Sequence, residues 1–134
     1  MHTPVELAER LRSEGRKVTP QREAVFRALA GNEQHPTAEA VHQAVVREPP
    51  MVSLRTVYQV LYDLTDLGEI QVLDLGTGSA RFDPNLEAHH HLVCSRCGAV
   101  RDVPADPPAP PDDEDFVVER VDVVFRGTCA GCAG

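Results

Sequence analysis

SLRTVYQVLYDLTDLGEIQVLDLGTGSARFD, residues 53–83, decides how this chain is read. Ser53 stands where a helix N-cap is wanted. Val57, Val60, Leu61 and Leu64 follow at i, i+3, i+4 and i+7, an apolar stripe along a helix that Gly68 ends. The opposite face carries Arg55, Gln59, Tyr62 and Asp66, with Tyr58 on its flank. These are the chain's 2 tyrosines, and it has no Trp; packing on a neighbouring helix is the plainer account of two rings on a polar face. Ile70–Leu75 then reads as a strand, 76–79 as a turn and Ala80–Phe82 as the return. Helices followed by a small hairpin describe a winged helix, whose last helix enters a DNA major groove while the hairpin flanks it. There Arg55 and Gln59 reach base edges, and a tyrosine touches a thymine methyl.

Three further helices precede this segment. Thr3-Pro4-Val5-Glu6 is a capping box with Pro at the first helical position; Leu7, Ala8 and Leu11 follow, and Gly15 stops the run. Thr19-Pro20 opens the next helix, with Ala24, Val25, Ala28 and Leu29 as its inward stripe and Gly31 as its end. Thr37 caps a third, with Val41, Ala44 and Val45 inward, before Pro49-Pro50 breaks the chain.

The net charge of −8 looks wrong for a DNA binder, but its distribution matters more than its total. Residues 1–82 carry 9 basic against 11 acidic groups, and residues 83–134 carry 4 against 10. Within 10–27, Arg10, Arg12, Arg16, Lys17, Arg22 and Arg27 face only Glu14 and Glu23, a local excess that suits phosphate or, more plainly, a solvated helical face. No secretory leader or membrane-length apolar run is visible, so a cytoplasmic location is expected, where paired CxxC motifs favour metal over disulfides.

The second half differs in kind. Short strands at 91–93 and 98–101 flank Cys94-Ser-Arg-Cys97-Gly. Residues 104–115 are Pro-rich and acidic and cannot hold a long helix. Residues 116–125 alternate imperfectly and read as one long strand, and the chain then reaches Cys129-Ala-Gly-Cys132. Two CxxC turns bring four thiolates to one ion, the closed tetrahedral shell of structural zinc, so Cys94, Cys97, Cys129 and Cys132 are read as a zinc staple with no open position for catalysis. Aromatics make up only 4% of the chain, and small cores built from Val, Leu and Ala often need such a staple. Nearby, His89 and His91 point to one side of a strand and His90 to the other, a start for a transition-metal site or a mere surface run.

Along nearly its whole length the sequence resembles the ferric uptake regulator (Fur) family. The resemblance is carried by residues 16–22 (RKVTPQR), 35–38 (HPTA), 53–61 (SLRTVYQVL), 81–83 (RFD) and 89–98 (HHHLVCSRCG). It implies an α+β chain: a winged-helix DNA-binding domain at 1–83 followed by a small α/β dimerisation and metal-binding domain at 84–134. It further implies a homodimeric repressor that binds an inverted-repeat operator on double-stranded DNA when loaded with metal. Carried over by position, the regulatory ligands are His35, Asp83, His89, His91 and Asp102, a nitrogen and oxygen shell suited to Fe(II) or Mn(II). The expected DNA-contacting residues are Arg16, Lys17, Gln21, Arg22, Ser53, Arg55, Thr56, Tyr58 and Gln59. Asp83, rather than Glu, favours similarity to the peroxide-sensing (PerR) branch, in which bound Fe(II) reacts with peroxide and the histidines matching His35 and His89 are oxidised; an iron or manganese uptake regulator is the alternative.

Two departures from the family's pattern stand out. An additional metal site found in some members would need ligands near 88 and 90 and a later histidine, but 88 is Ala and 103–134 contain no His. The helix usual between CxxCG and the last strand is replaced by the Pro-rich stretch. An enzyme is disfavoured because five protein ligands leave at most one open position, and no nucleophile motif or phosphate loop accompanies them. A zinc ribbon that only binds proteins is disfavoured by the capped helix with Arg55, Tyr58 and Gln59.

Overall fold

The computed structural model describes every residue except Glu48, Thr77, Ala88, Ala105, Pro107 and Gly134; expectations that fall on Thr77, Ala88, Ala105 and Pro107 lie outside the described residues. The chain forms two compact units, Met1–Leu86 and Glu87–Gly134.

The first unit contains α1 (Pro4–Ser13), α2 (Pro20–Leu29), α3 (Ala38–Val45), α4 (Leu54–Asp66), β1 (Gln71–Leu73) and β2 (Arg81–Asp83). Each helix begins at a hydroxyl cap. Thr3, Thr19, Thr37 and Ser53 accept the backbone N–H of Glu6, Arg22, Ala40 and Thr56 at 3.1–3.3 Å. Each cap satisfies one orphan donor and is worth about 1 kcal/mol. The stripe Val57, Val60, Leu61 and Leu64 is buried, and it meets Leu7, Leu11, Val25, Phe26, Leu29, Val41 and Phe82 in a single core. Phe26 was missing from the stripe expected for the second helix, where Ala24 and Ala28 are only partly buried; the larger ring takes the inward place. Ala44 is exposed, and α3 turns Ala38 and Val41 inward instead. The hairpin pairs Gln71 with Asp83, Val72 with Phe82 and Leu73 with Arg81.

Helix α4 ends in a Schellman motif. Gly68 N–H donates to Thr65 O at 3.0 Å and Glu69 N–H to Leu64 O at 2.9 Å, with Gly68 at φ 72°. This turn carries Glu69 inward, where it is 1% exposed. Arg10 holds its Oε1, and His2 reaches both carboxylate oxygens, through Nδ1 at 2.6 Å and its backbone N–H at 2.9 Å. Arg10 also reaches Leu67 O and lies 3.6 Å from Glu14, while Arg12 lies 3.7 Å from Glu23. Arg10 therefore belongs to the helix packing, and the basic surface of 10–27 keeps Arg12, Arg16, Lys17, Arg22 and Arg27, with Arg12 partly neutralised by Glu23.

The second unit is a three-stranded sheet ordered β4 (Val100–Val103), β3 (His90–Cys94), β5 (Val124–Gly127), with a short helical turn α5 (Ala130–Ala133). β3 runs antiparallel to β4 and parallel to β5. The long strand expected over 116–125 is not formed: only Val124–Gly127 pair, and Phe116 and Val117 are exposed. β3 has five residues and offers no register for more; β5 starts opposite His91 and ends opposite Cys94. The buried residues of this unit are Val93, Cys94, His90 and His91, too few to hold it by apolar burial alone.

Replacing Gly68 with Ala puts a Cβ in the left-handed region and should cost about 1 kcal/mol, read as a lower urea midpoint. Burial pushes the Glu69 carboxyl up, but the bonds from His2 and Arg10 outweigh it and hold it below the ordinary value of 4.5. A depressed carboxyl adds stability above its unfolded pKa and loses it as pH falls through the folded one. Thermal stability should therefore drop as pH falls below the ordinary carboxyl value of 4.5, and Glu69→Gln should flatten part of that drop; an unchanged slope would show that Glu69 does not titrate with folding.

Candidate metal centres and nucleic-acid face

The four cysteines come from both ends of the second unit. Cys94 closes β3, Cys97 follows in the turn, and Cys129 and Cys132 flank the start and body of α5. One sulfur from each lies within 4.8 Å of all the others, and Cys97 Sγ is 3.7 Å from Cys129 Sγ. A disulfide needs about 2.05 Å. Four sulfurs set tetrahedrally about 2.3 Å from one ion lie about 3.8 Å apart. The knuckles are braced by Cys97 N–H and Cys129 N–H donating to Cys94 Sγ and by Arg96 donating to Cys132 O. The backbone N–H groups of Cys129, Cys97 and Arg96 bring the Cys94 thiol down to about 5, while hydrogen bonding with Cys129, Cys97 and Cys94 pushes Cys132 up to about 12. Four thiolates cannot coexist here without a cation among them, so the donor set fits zinc.

The remaining candidate ligands form one group in each unit. In the first, His35 precedes the Thr37 cap of α3, and Asp83 ends β2. Both are buried, with His35 Nε2 3.3 Å from Asp83 Oδ2. His35 has φ 51°, a left-handed backbone that costs a non-glycine residue about 1 kcal/mol and tends to mark functional turns. Two bonds stitch this loop to the hairpin: Phe82 N–H donates to Pro36 O at 2.9 Å, and Arg81 donates to His35 O at 3.2 Å. Asp83 Oδ1 accepts Asn85 N–H at 2.9 Å, which fixes the carboxylate's rotation.

In the second unit, His91 faces Asp102 across the β3–β4 ladder. Asp102 Oδ1 lies 3.1 Å from His89 Nε2 and 3.6 Å from His91 Nε2, and the two rings sit 4.8 Å apart. His89 Nδ1 donates to Glu87 O, which leaves Nε2 as the ligating nitrogen. His90 turns away and accepts Val123 N–H at 3.1 Å, bracing the start of β5. The chemistry of each group suits a borderline divalent ion.

On α4, Arg55 and Gln59 are exposed, with Tyr58 half-buried beside them. Ser53 and Thr56 bond each other as the helix cap. Arg16 and Lys17 are exposed, Gln21 is half-buried, and Arg22 donates to Lys17 O at 2.7 Å, ordering the turn before α2. Tyr58 OH donates to Glu39 Oε1 at 2.7 Å; that bond lowers the carboxyl and raises the phenol. Glu39 was not foreseen, since no spacing rule links a residue of α3 to one of α4.

A sequence profile of the ferric uptake regulator family matches residues 13–113. The chain is 39% identical over 92 residues to the peroxide-responsive repressor PerR of Staphylococcus epidermidis, covering 69% of this chain and 61% of that protein. It is equally similar to PerR of Staphylococcus aureus, covering 69% and 62%. The match thus spans about three fifths of the length of these curated relatives. The ferric uptake regulator of Helicobacter pylori shares the fold with a TM-score of 0.78 at 22% identity, covering 99% of this chain and 95% of that one. The Pseudomonas aeruginosa regulator, solved with manganese, gives 0.66 at 26% identity, covering 91% and 96%. With the profile matching residues 13–113, most of its length, the chain belongs to the ferric uptake regulator family.

Proposed function

We propose that the chain is a metal-dependent transcriptional repressor that binds inverted-repeat operator DNA as a homodimer. In this reading Cys94, Cys97, Cys129 and Cys132 hold a structural zinc, and His35, Asp83, His89, His91 and Asp102 together hold one Fe(II) or Mn(II). The observation that carries it is the division of the donors: His35 and Asp83 belong to the winged-helix unit, His89, His91 and Asp102 to the sheet unit, and each group is braced by its own backbone. An ion that takes both groups fixes the two units at one angle and selects the conformer whose paired α4 helices meet successive major grooves. Exposed Arg55 and Gln59 support groove reading, and Arg16, Lys17 and Arg22 support phosphate contact. Leu92 and Phe125, each 45% exposed on the sheet, support a second copy of the chain as partner. No helix of the described residues is long and apolar enough to cross a membrane, and four free cysteines suit the reducing cytoplasm.

Asp83 and the PerR relatives support peroxide sensing. Bound Fe(II) would supply the electrons that turn peroxide into an oxidant beside the imidazoles. Oxygen added to His35 and His89 would lower their basicity and so weaken the hold of these residues on the ion. Simple iron or manganese sensing is the second reading, favoured by the likeness to the Pseudomonas regulator solved with manganese.

Mn(II) should raise operator affinity about 5- to 150-fold, measured by fluorescence anisotropy. His35→Ala should bring that enhancement close to unity while zinc stoichiometry stays the same; an unaltered enhancement would sink the clamp. Peroxide should release the Fe(II) form and spare the Mn(II) form, with peptide masses showing oxygen added at His35 and His89. Release without added oxygen, or no release, would leave plain metal sensing.

A further inference from the structure

The first unit contains a closed circuit of contacts that the metal-ligating role of His35 and Asp83 does not require. It starts at Pro36, whose carbonyl accepts Phe82 N–H at 2.9 Å. Phe82 lies between Arg81 and Asp83 on β2 and is fully buried. Its ring meets Tyr62 edge to face, with centroids 5.7 Å apart at 83°. Tyr62 stacks on Tyr58, 6.4 Å away at 13°. Tyr58 OH reaches Glu39, which lies on α3 just beyond the Thr37 cap and so returns the circuit to the loop of His35.

Tyr62 is the odd member. It is 47% exposed on the polar face of α4, and its burial adds little to the core. What it does is join the strand that carries Asp83 to the ring of Tyr58 on the exposed face of that helix. His35 is the point at which an ion could bias such a linkage: its left-handed backbone, φ 51°, is strained, and its imidazole lies 3.3 Å from Asp83 on the strand next to Phe82, so an ion taking both would favour this arrangement of loop and strand over others.

We propose that Tyr62 is a positioning residue: stacked between Phe82 and Tyr58, it transmits the state of the His35–Asp83 loop to the DNA-facing side of α4, so that metal orders Tyr58 before DNA arrives. The inference rests on the functional reading above and adds to it a named route inside one unit. The ring, not the hydroxyl, carries the effect, because both of its contacts are ring to ring.

Tyr58 and Tyr62 are the chain's only tyrosines and Trp is absent, so tyrosine emission reports on this column alone. In Tyr62→Phe and Tyr62→Leu, Tyr58 is the sole emitter. Each protein, with its cysteine site filled, is titrated with further zinc(II), a diamagnetic ion, without DNA. The Tyr58 emission should change on metal binding in Tyr62→Phe and stay flat in Tyr62→Leu, with both variants taking up the same number of ions and melting together. Operator binding with and without Mn(II) is then compared. Tyr62→Phe should keep the parental enhancement, and Tyr62→Leu should lose about 2- to 30-fold of it. Reciprocity requires operator DNA to lose the same factor in its effect on Mn(II) affinity.

A parental emission response and enhancement in Tyr62→Leu would overturn the proposal. So would a Tyr58 emission that ignores metal in Tyr62→Phe, even with metal-dependent operator binding in the parent. Conversely, an emission response present in Tyr62→Phe, absent in Tyr62→Leu and accompanied by metal-independent DNA binding would uphold the route and overturn the repressor reading.

Discussion

The backbone bond from Phe82 N–H to Pro36 O is the constraint on which most of the first unit depends. It is one ordinary hydrogen bond, worth about 1 kcal/mol by itself. Its position gives it reach. It ties the second strand of the wing to the loop before α3, sets Asp83 opposite His35, and seats the Phe82 ring under α4. A hairpin hinged only at its own turn would leave the carboxylate free to wander. Here the Arg81 bond to His35 O and the Asn85 bond to Asp83 narrow that freedom.

The helices were legible because their signals are local. Hydroxyl caps mark all four starts in the first unit, Pro opens α1 and α2, Gly follows α1, α2 and α4, and the stripe along 57–64 needs nothing beyond a 3.6-residue period. The misplacements share a cause. Phe26 and Ala44 were misjudged because a stripe predicted from spacing cannot say how far a helix is rotated toward its neighbours. The overlong strand at 116–125 came from reading alternation without asking whether the partner strand was long enough. Arg10 looked available to phosphate because Glu69, which takes it, lies far along the chain.

The site was legible to a different degree at each group. Two CxxC motifs name four candidate ligands from the sequence pattern alone, and the second unit brings their sulfurs together. That His89 and His91 share a side follows from strand alternation, and the turning away of His90 agrees with it. No spacing rule pairs His35 with Asp83; that match came from the family pattern, and the loop-to-strand stitch is its physical cause. Glu39 and Tyr62 carry no pattern at all, since their partners are set by how helices and wing pack.

The order of strands in the second unit has a consequence for how the chain acquires its structure. β3 and β5 are parallel, so they cannot be joined by a tight turn; the connection runs through β4 and the Pro-rich stretch. Bringing them together closes a long loop before any sizeable apolar reward arrives, an entropic cost that grows slowly with length but is met in full at the start. The first unit, built from neighbouring helices, has no such toll. The sheet unit should therefore mature after the helical one, and on the zinc reading proposed above an ion gripping both knuckles would close that loop in one step. On that reading, chains made in a zinc-starved cell would carry a finished first unit joined to an unfinished second one.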